Sequence, residues 1–159
     1  MITGASLDET RVYRYSLWRI CIWDETKPRV VFIMLNPSTE GETKDNPTVR
    51  RCIAFAKEWG YGSLEVVNLF SYRASTPEML KKAKEPVGAS NEQFLLQAAN
   101  RAERIVLAWG IHGAFLKQNE KVLTLLKSYP LYALGVTKER HPRHPLFMKK
   151  SAKLFLYNS

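Results

Sequence analysis

The sequence predicts a three-layer αβα sandwich around a central four-stranded parallel sheet, with an antiparallel strand or hairpin at the N-terminus, all in one α/β domain over residues 1–159. Three observations carry this prediction. Four short apolar runs lack period-two alternation, as strands covered on both faces do. Stretches with helical spacing separate the runs. With 159 residues, 45% of them hydrophobic and 25% charged, the chain suits one ordinary core and shows no repeat, low-complexity tract or linker.

Residues 11–23 mix aromatic and β-branched types, and residues 24–28 supply turn chemistry, predicting a strand or hairpin that enters the next strand antiparallel. Val30–Leu35 is the first core strand. It stops at Asn36-Pro37-Ser38, where proline removes a backbone donor. The polar stretch Thr39–Asn46 is long for a plain connection and reads as a functional loop. Asn46 as N-cap and Pro47 at the first helical position open a helix through Val49, Cys52, Ile53, Phe55 and Ala56 to Gly60.

Leu64–Phe70 is the second strand, with Asn68 near its carboxyl end. Its exit loop, Ser71–Ser75, carries Tyr72 and Arg73. Thr76-Pro77-Glu78 caps a short helix with lysines at 81, 82 and 84, broken by Pro86-Val87-Gly88. Ser90 and Gln93 form a capping-box pattern, and Phe94, Leu95, Ala98, Ala99 and Ala102 carry the next helix toward Glu103. Ile105–Gly110 is the third strand, and His112-Gly113 opens a helix bearing Phe115, Leu116, Val122, Leu125 and Leu126. Leu131–Gly135 is the fourth, followed by the basic, proline-stiffened loop Thr137–Phe147. A last amphipathic segment runs to Tyr157.

The 24 Lys and Arg against 15 Asp and Glu leave a net charge of +9, which favours a polyanionic partner, nucleic acid or nucleotide. Cys21 and Cys52 have no metal-ligand spacing and make a poor disulfide framework, so a reducing cytoplasmic setting is expected. Met1–Thr10 lacks a leader pattern, and no apolar run approaches the roughly 20 residues that span a bilayer, so no membrane association is expected.

Ligands of parallel α/β sheets sit beyond the carboxyl ends of the strands. That rule gathers Asn36-Pro37-Ser38, Asn68 with Tyr72 and Arg73, Trp109-Gly110 with His112, and the loop holding His141 and His144. The asparagines offer a donor and an acceptor on a short stem, for reading an amide-bearing ring, orienting a water or bonding a turn. The two histidines suit hydrogen bonding to an oxyanion, acid or base work, or simple solvation. Arg50 and Arg51 at a helix start, and Lys138, Arg140 and Arg143 in the basic loop, are candidates for phosphate contacts or a solvated face. The sequence has no Gly-rich phosphate loop, nucleophile elbow, zinc-ligand set or paired-carboxylate motif, so no metal or cofactor is expected.

Leu35-Asn36-Pro37-Ser38, Asp45–Cys52, Trp59–Gly62, Val66–Phe70 with Tyr72-Arg73-Ala74, Trp109-Gly110 and His144-Pro145-Leu146 together resemble the family called domain of unknown function 1643. That resemblance spans nearly the whole chain and implies no activity. The order of an Asn-Pro turn, a strand-ending Asn, a Trp-Gly and a His-Pro loop is more distantly similar to the uracil-DNA glycosylase superfamily. This second resemblance implies that Asn36 holds the attacking water, Asn68 reads an extruded base, and His144 or His141 stabilises the departing base. The chain departs from that pattern: no acidic residue directly follows the first strand, no motif fixes a stacking aromatic, and Arg143 stands where a small residue is usual. The competing readings are a nucleic-acid-binding module without catalysis and an enzyme for a phosphorylated metabolite.

Overall fold

Alternate residues of the first apolar run enter two different cores. Val31 and Ile33 join one apolar cluster, while Val30, Phe32 and Met34 join another, so the strand is covered on both faces. Each fully buried side chain of this size contributes roughly 1.5–3 kcal/mol, which is why the run carries no polar alternation. The structure, a computed structural model, describes residues 2–20, 27–39 and 45–157.

Among the described residues, seven strands form one sheet: β1 (Ile2–Leu7), β2 (Arg14–Ile20), β3 (Arg29–Met34), β4 (Ser63–Asn68), β5 (Arg104–Leu107), β6 (Leu131–Ala133) and β7 (Phe155–Leu156). The helices are α1 (Pro47–Glu58), α2 (Pro77–Lys82), α3 (Asn91–Arg101) and α4 (Gln118–Leu125). Strand order is β1-β2-β4-β3-β5-β6-β7. The pairs β4-β3, β3-β5 and β5-β6 are parallel, and β1-β2, β2-β4 and β6-β7 are antiparallel. Residues of α1 pack into the cluster containing Phe32, and residues of α2, α3 and α4 into the cluster containing Ile33, so helices cover both faces.

The sheet is therefore mixed and wider than the expected four-stranded parallel one. The predicted N-terminal strand pairs with β4 and not with β3, because β3 already holds β4 and β5 on its two edges. β1 comes from a polar segment that sequence pattern does not mark as a strand, and β7 replaces the expected amphipathic close. Both lie at the sheet's margins, where burial imposes little pattern. Residues 21–26 and 40–44, which include Cys21, part of the expected turn and most of the expected functional loop, lie outside the described residues.

Local chemistry explains the element boundaries. The Asn46 side chain accepts from the Val49 amide and Pro47 sits in the first turn, as the sequence predicts. Thr76 caps α2 in the same way, but α2 stops at Lys82, leaving Lys84 outside it. Ser90 makes no capping bond despite its pattern. The predicted helix after Gly110 is broken: a 3-10 stretch over Ile111–Lys117 has non-helical backbone at Phe115 and Leu116 before α4 begins. A second 3-10 turn occupies Pro145–Phe147.

Two buried charges within the sheet are compensated. Glu65, only 1% exposed, accepts from Arg101 at 2.8 Å, Arg29 at 3.1 Å and the Ser16 hydroxyl at 2.6 Å. Arg19 is fully buried and donates to Asp45 at 2.7 Å and to the Trp18 carbonyl at 2.9 Å. Removing either partner would strand a charge in apolar surroundings, the costly half of such pairs. No helix among the described residues is long and apolar enough to cross a membrane.

Candidate functional site

Met34 and Asn68 are register partners, so β3 and β4 end at the same level. On the other edge of β3, Ile33 pairs with Leu107, and the Ala108 amide donates to the Ile33 carbonyl at 2.8 Å. The connections from β3 to β4 and from β5 to β6 run in opposite directions across the sheet, the arrangement that opens a crevice at the strand carboxyl ends. A cleft of about 450 Å³ lies there. Met34, Val49, Cys52 and Val66 supply apolar lining, and Asn36, Asn46, Asn68, Trp109 and His144 supply polar groups.

Asn68 is 3% exposed and Trp109 2% exposed. Asn68 Oδ1 and Trp109 Nε1 have no hydrogen-bond partner. Few buried polar atoms in native folds stay unpaired, and each costs about 1–3 kcal/mol. Both residues line the cleft, so their unpaired atoms are candidates for pairing when a ligand binds. Gly113 makes room for the indole: a Cβ there would stand 2.2 Å from Trp109 Cδ1 and 2.7 Å from Nε1.

Asn36 ties the loops after β3 and β4 together. Its Nδ2 donates to the carbonyls of Ala74 at 2.9 Å, Pro37 at 3.0 Å and Tyr72 at 3.5 Å. The amide nitrogen is thus committed to structure, and the carbonyl oxygen is the end left for a ligand or water. Ser38 accepts from Asn46 Nδ2 at 3.3 Å, linking the Asn-Pro-Ser turn to the start of α1.

The His-Pro loop folds back on itself through an antiparallel bridge between Val136 and Pro142. His144 reaches the cleft from it. The Leu146 amide donates to His144 Nδ1 at 3.2 Å, so Nδ1 is unprotonated and the neutral ring carries its proton on Nε2. Burial holds the His144 pKa below its ordinary 6.5, consistent with that neutral form. His112 also lines the cleft, with Lys81 Nζ 3.3 Å from its Nδ1.

The family described as Protein of unknown function (DUF1643) matches residues 14–146. The chain belongs to this family. No curated protein and no solved structure matches it. In this DUF1643 chain the matched span begins at the cleft residue Arg14 and passes His144, so among the described residues of the cleft lining only Phe147 falls outside it.

The other candidates from the sequence stand apart from the cleft. Tyr72 packs edge-on against Tyr13, and the Arg73 guanidinium donates to the carbonyls of Thr39 at 2.7 Å, Arg11 at 3.1 Å and Ser38 at 3.4 Å. Arg73 therefore braces the turn that it was expected to help bind substrate. The His141 amide donates to the Thr137 hydroxyl, and His141 does not line the cleft. Arg50 donates to the Asp45 carbonyl, and Arg51 lies 6.0 Å from the Phe55 ring centroid. Lys138 and Arg140 are exposed, and Arg143 borders a separate depression that shares Phe147 with the cleft.

Sequence reasoning missed Arg14, Thr48, Cys52, Ile111 and Phe147 as cleft residues. Arg14 carried a usable signal, a cation within an aromatic strand. Cys52 is a buried thiol with its pKa pushed up to about 12 by desolvation, which keeps it a neutral part of the wall.

Proposed function

We propose that this domain is glycosylase-like: its cleft reads one nucleobase, presented by nucleic acid or as a nucleotide, and hydrolyses the N-glycosidic bond. The orphaned pair, Asn68 Oδ1 and Trp109 Nε1, is the observation that carries this reading. The edge of a base offers N–H donors beside carbonyl or ring-nitrogen acceptors, so one ring can satisfy both atoms. The cleft volume and its apolar floor suit a planar ring of that size.

In this reading Asn36 Oδ1 accepts from the attacking water while its nitrogen anchors the loop. The water oxygen bonds to the sugar anomeric carbon, the bond to the base nitrogen breaks, and the bonding pair leaves with the base. His144 Nε2–H donates a hydrogen bond to that anion, and the water's proton passes through solvent to the base. Extruding a base costs a few kcal/mol, which Lys138, Arg140, Arg143, Arg50 and Arg51 would offset through phosphate contacts.

One observation favours a second reading. Among the described residues lining the cleft there is no Asp or Glu to take the water's proton. A binding module would keep the base contacts without hydrolysis. Incubation with a panel of damaged and modified DNA and RNA, scored for abasic sites, separates the two. Abasic products that disappear in Asn36→Ala establish hydrolysis. Binding whose log affinity falls against log salt concentration with a slope of roughly 0.7–0.9 per neutralised phosphate, without abasic products, establishes the module.

A further inference from the structure

We propose that the depression beside the cleft receives the nucleotide next to the one being read, with the Phe147 ring stacked on its base, so that the ligand is an unpaired nucleic-acid strand. This rests on the base-reading cleft above and names its substrate class. The depression, about 420 Å³, is close in size to the cleft at about 450 Å³, and Phe147 lines both. Two hollows of that size sharing a wall suit two consecutive nucleotides.

Burial does not account for Phe147. At 79% exposure it is the most exposed large apolar side chain among the described residues, and Leu146 beside it is 42% exposed. Adjacent apolar side chains left in water at the rim of a cavity mark a contact surface. The turn that presents the ring is ordered in advance: Pro145 is buried, the Phe147 amide donates to the His144 carbonyl at 3.0 Å, and the Phe147 ring lies edge-on to the His144 ring at 6.0 Å. A contact offered from a fixed turn costs little ordering on binding.

Charge complements the ring. Arg143 and Lys149 line the depression, and no Asp or Glu does among the described residues. The Arg143 guanidinium is held at one edge, where Nε donates to the Val136 carbonyl at 3.2 Å, and neither Nη makes a hydrogen bond among the described residues. A fork oriented in this way suits two oxygens of one phosphate. Lys150 and Lys153, the next cations along the chain, are exposed. An acidic peptide would answer the cations alone, whereas a nucleotide answers the cations and the ring. A duplex covers the faces of its bases, so the base that meets Phe147 is an unpaired one.

The test is calorimetry on the full chain with nucleoside monophosphates, an oligoglutamate, and short DNA and RNA strands that are abasic except for one base or for two adjacent bases. At least one two-base strand should bind about tenfold or more tightly than its one-base counterpart. Phe147→Ala, at an exposed position that folding tolerates, should remove that gain, and Phe147→Trp should keep it, because stacking needs an aromatic ring. Lys149→Ala should lower the slope of log strand affinity against log salt by about 0.7 and leave monophosphate affinity unchanged.

Two-base strands that bind no more tightly than one-base strands would overturn the neighbouring site and leave the base-reading cleft standing. A gain that Phe147→Ala removes, with every affinity unchanged in Asn68→Ala, would uphold the neighbouring site and sink base reading. A gain lost equally in Phe147→Ala and Phe147→Trp would overturn stacking. Tighter binding of annealed duplexes than of their free strands, or oligoglutamate binding as tight as the two-base strand, would overturn the unpaired strand as the ligand. No binding by any probe overturns both readings.

Discussion

The Gly110 amide donates to the Pro142 carbonyl at 2.8 Å. This bond joins the turn after β5, which presents Trp109, to the loop that presents His144. The Arg143 amide donates to the Gly135 carbonyl at 2.8 Å and closes the base of that loop. The two polar groups at one end of the cleft are therefore placed relative to each other by backbone, independent of any ligand.

Gly110 has φ +76 and ψ −170, a combination open essentially to glycine alone, although a Cβ there would meet nothing within 4 Å. Gly110→Ala should therefore cost about 1–3 kcal/mol through backbone strain and not through a clash. Base binding should weaken with it as the Trp109 turn relaxes. Urea denaturation checks the first effect and titration the second; wild-type values in both would show that the turn does not depend on glycine.

Asn36 is expected to act as a clip through its nitrogen. Asn36→Ala removes two N–H donors shared among three loop carbonyls and should destabilise the protein by about 1–3 kcal/mol. Asn36→Asp keeps an acceptor but sets a carboxylate against those same carbonyls, so it should be the less stable of the two variants. Chemical denaturation decides: an Asp variant as stable as wild type would mean that the clip contributes little.

His144 predicts a pH dependence with a definite sign. Burial lowers its folded pKa below 6.5, so the unfolded chain binds the extra proton more readily. This contribution to stability is whole above the ordinary histidine pKa and is lost as pH falls below about 6.5. Protonation also ends the Leu146 donation to Nδ1. Stability curves measured from pH 8 to 5 should fall less for His144→Asn than for wild type, and identical curves would place His144 in open solvent.

Much of this was readable from the residues, and the failures have physical causes. The core strands and α1 were legible because burial on both faces and the Asn46-Pro47 cap leave strong local marks. Convergence of Asn36, Asn68, Trp109 and His144 on one cleft followed from each ending a strand or lying in the segment that leaves it. The edge strands β1 and β7 were not legible, since a sheet margin accepts almost any residue. The partner of β2 was not legible either, because pairing is decided by which edge remains free. The bracing by Arg73 was not legible for a different reason: a guanidinium bonded to three carbonyls and one bound to substrate look alike in sequence.

The most direct measurement is the affinity of a nucleobase panel for wild-type protein, Trp109→Phe and Asn68→Ala, taken with each variant's folding stability. Trp109→Phe keeps an aromatic ring but removes part of the buried indole along with the orphaned donor, so the cavity should cost about 1–3 kcal/mol of stability, partly offset by loss of the unpaired N–H. A base-reading cleft predicts that at least one base binds and that each substitution weakens it by about tenfold or more, the effect of leaving one ligand group unpaired. Binding of no base, or equal binding by wild type and both variants, would contradict it.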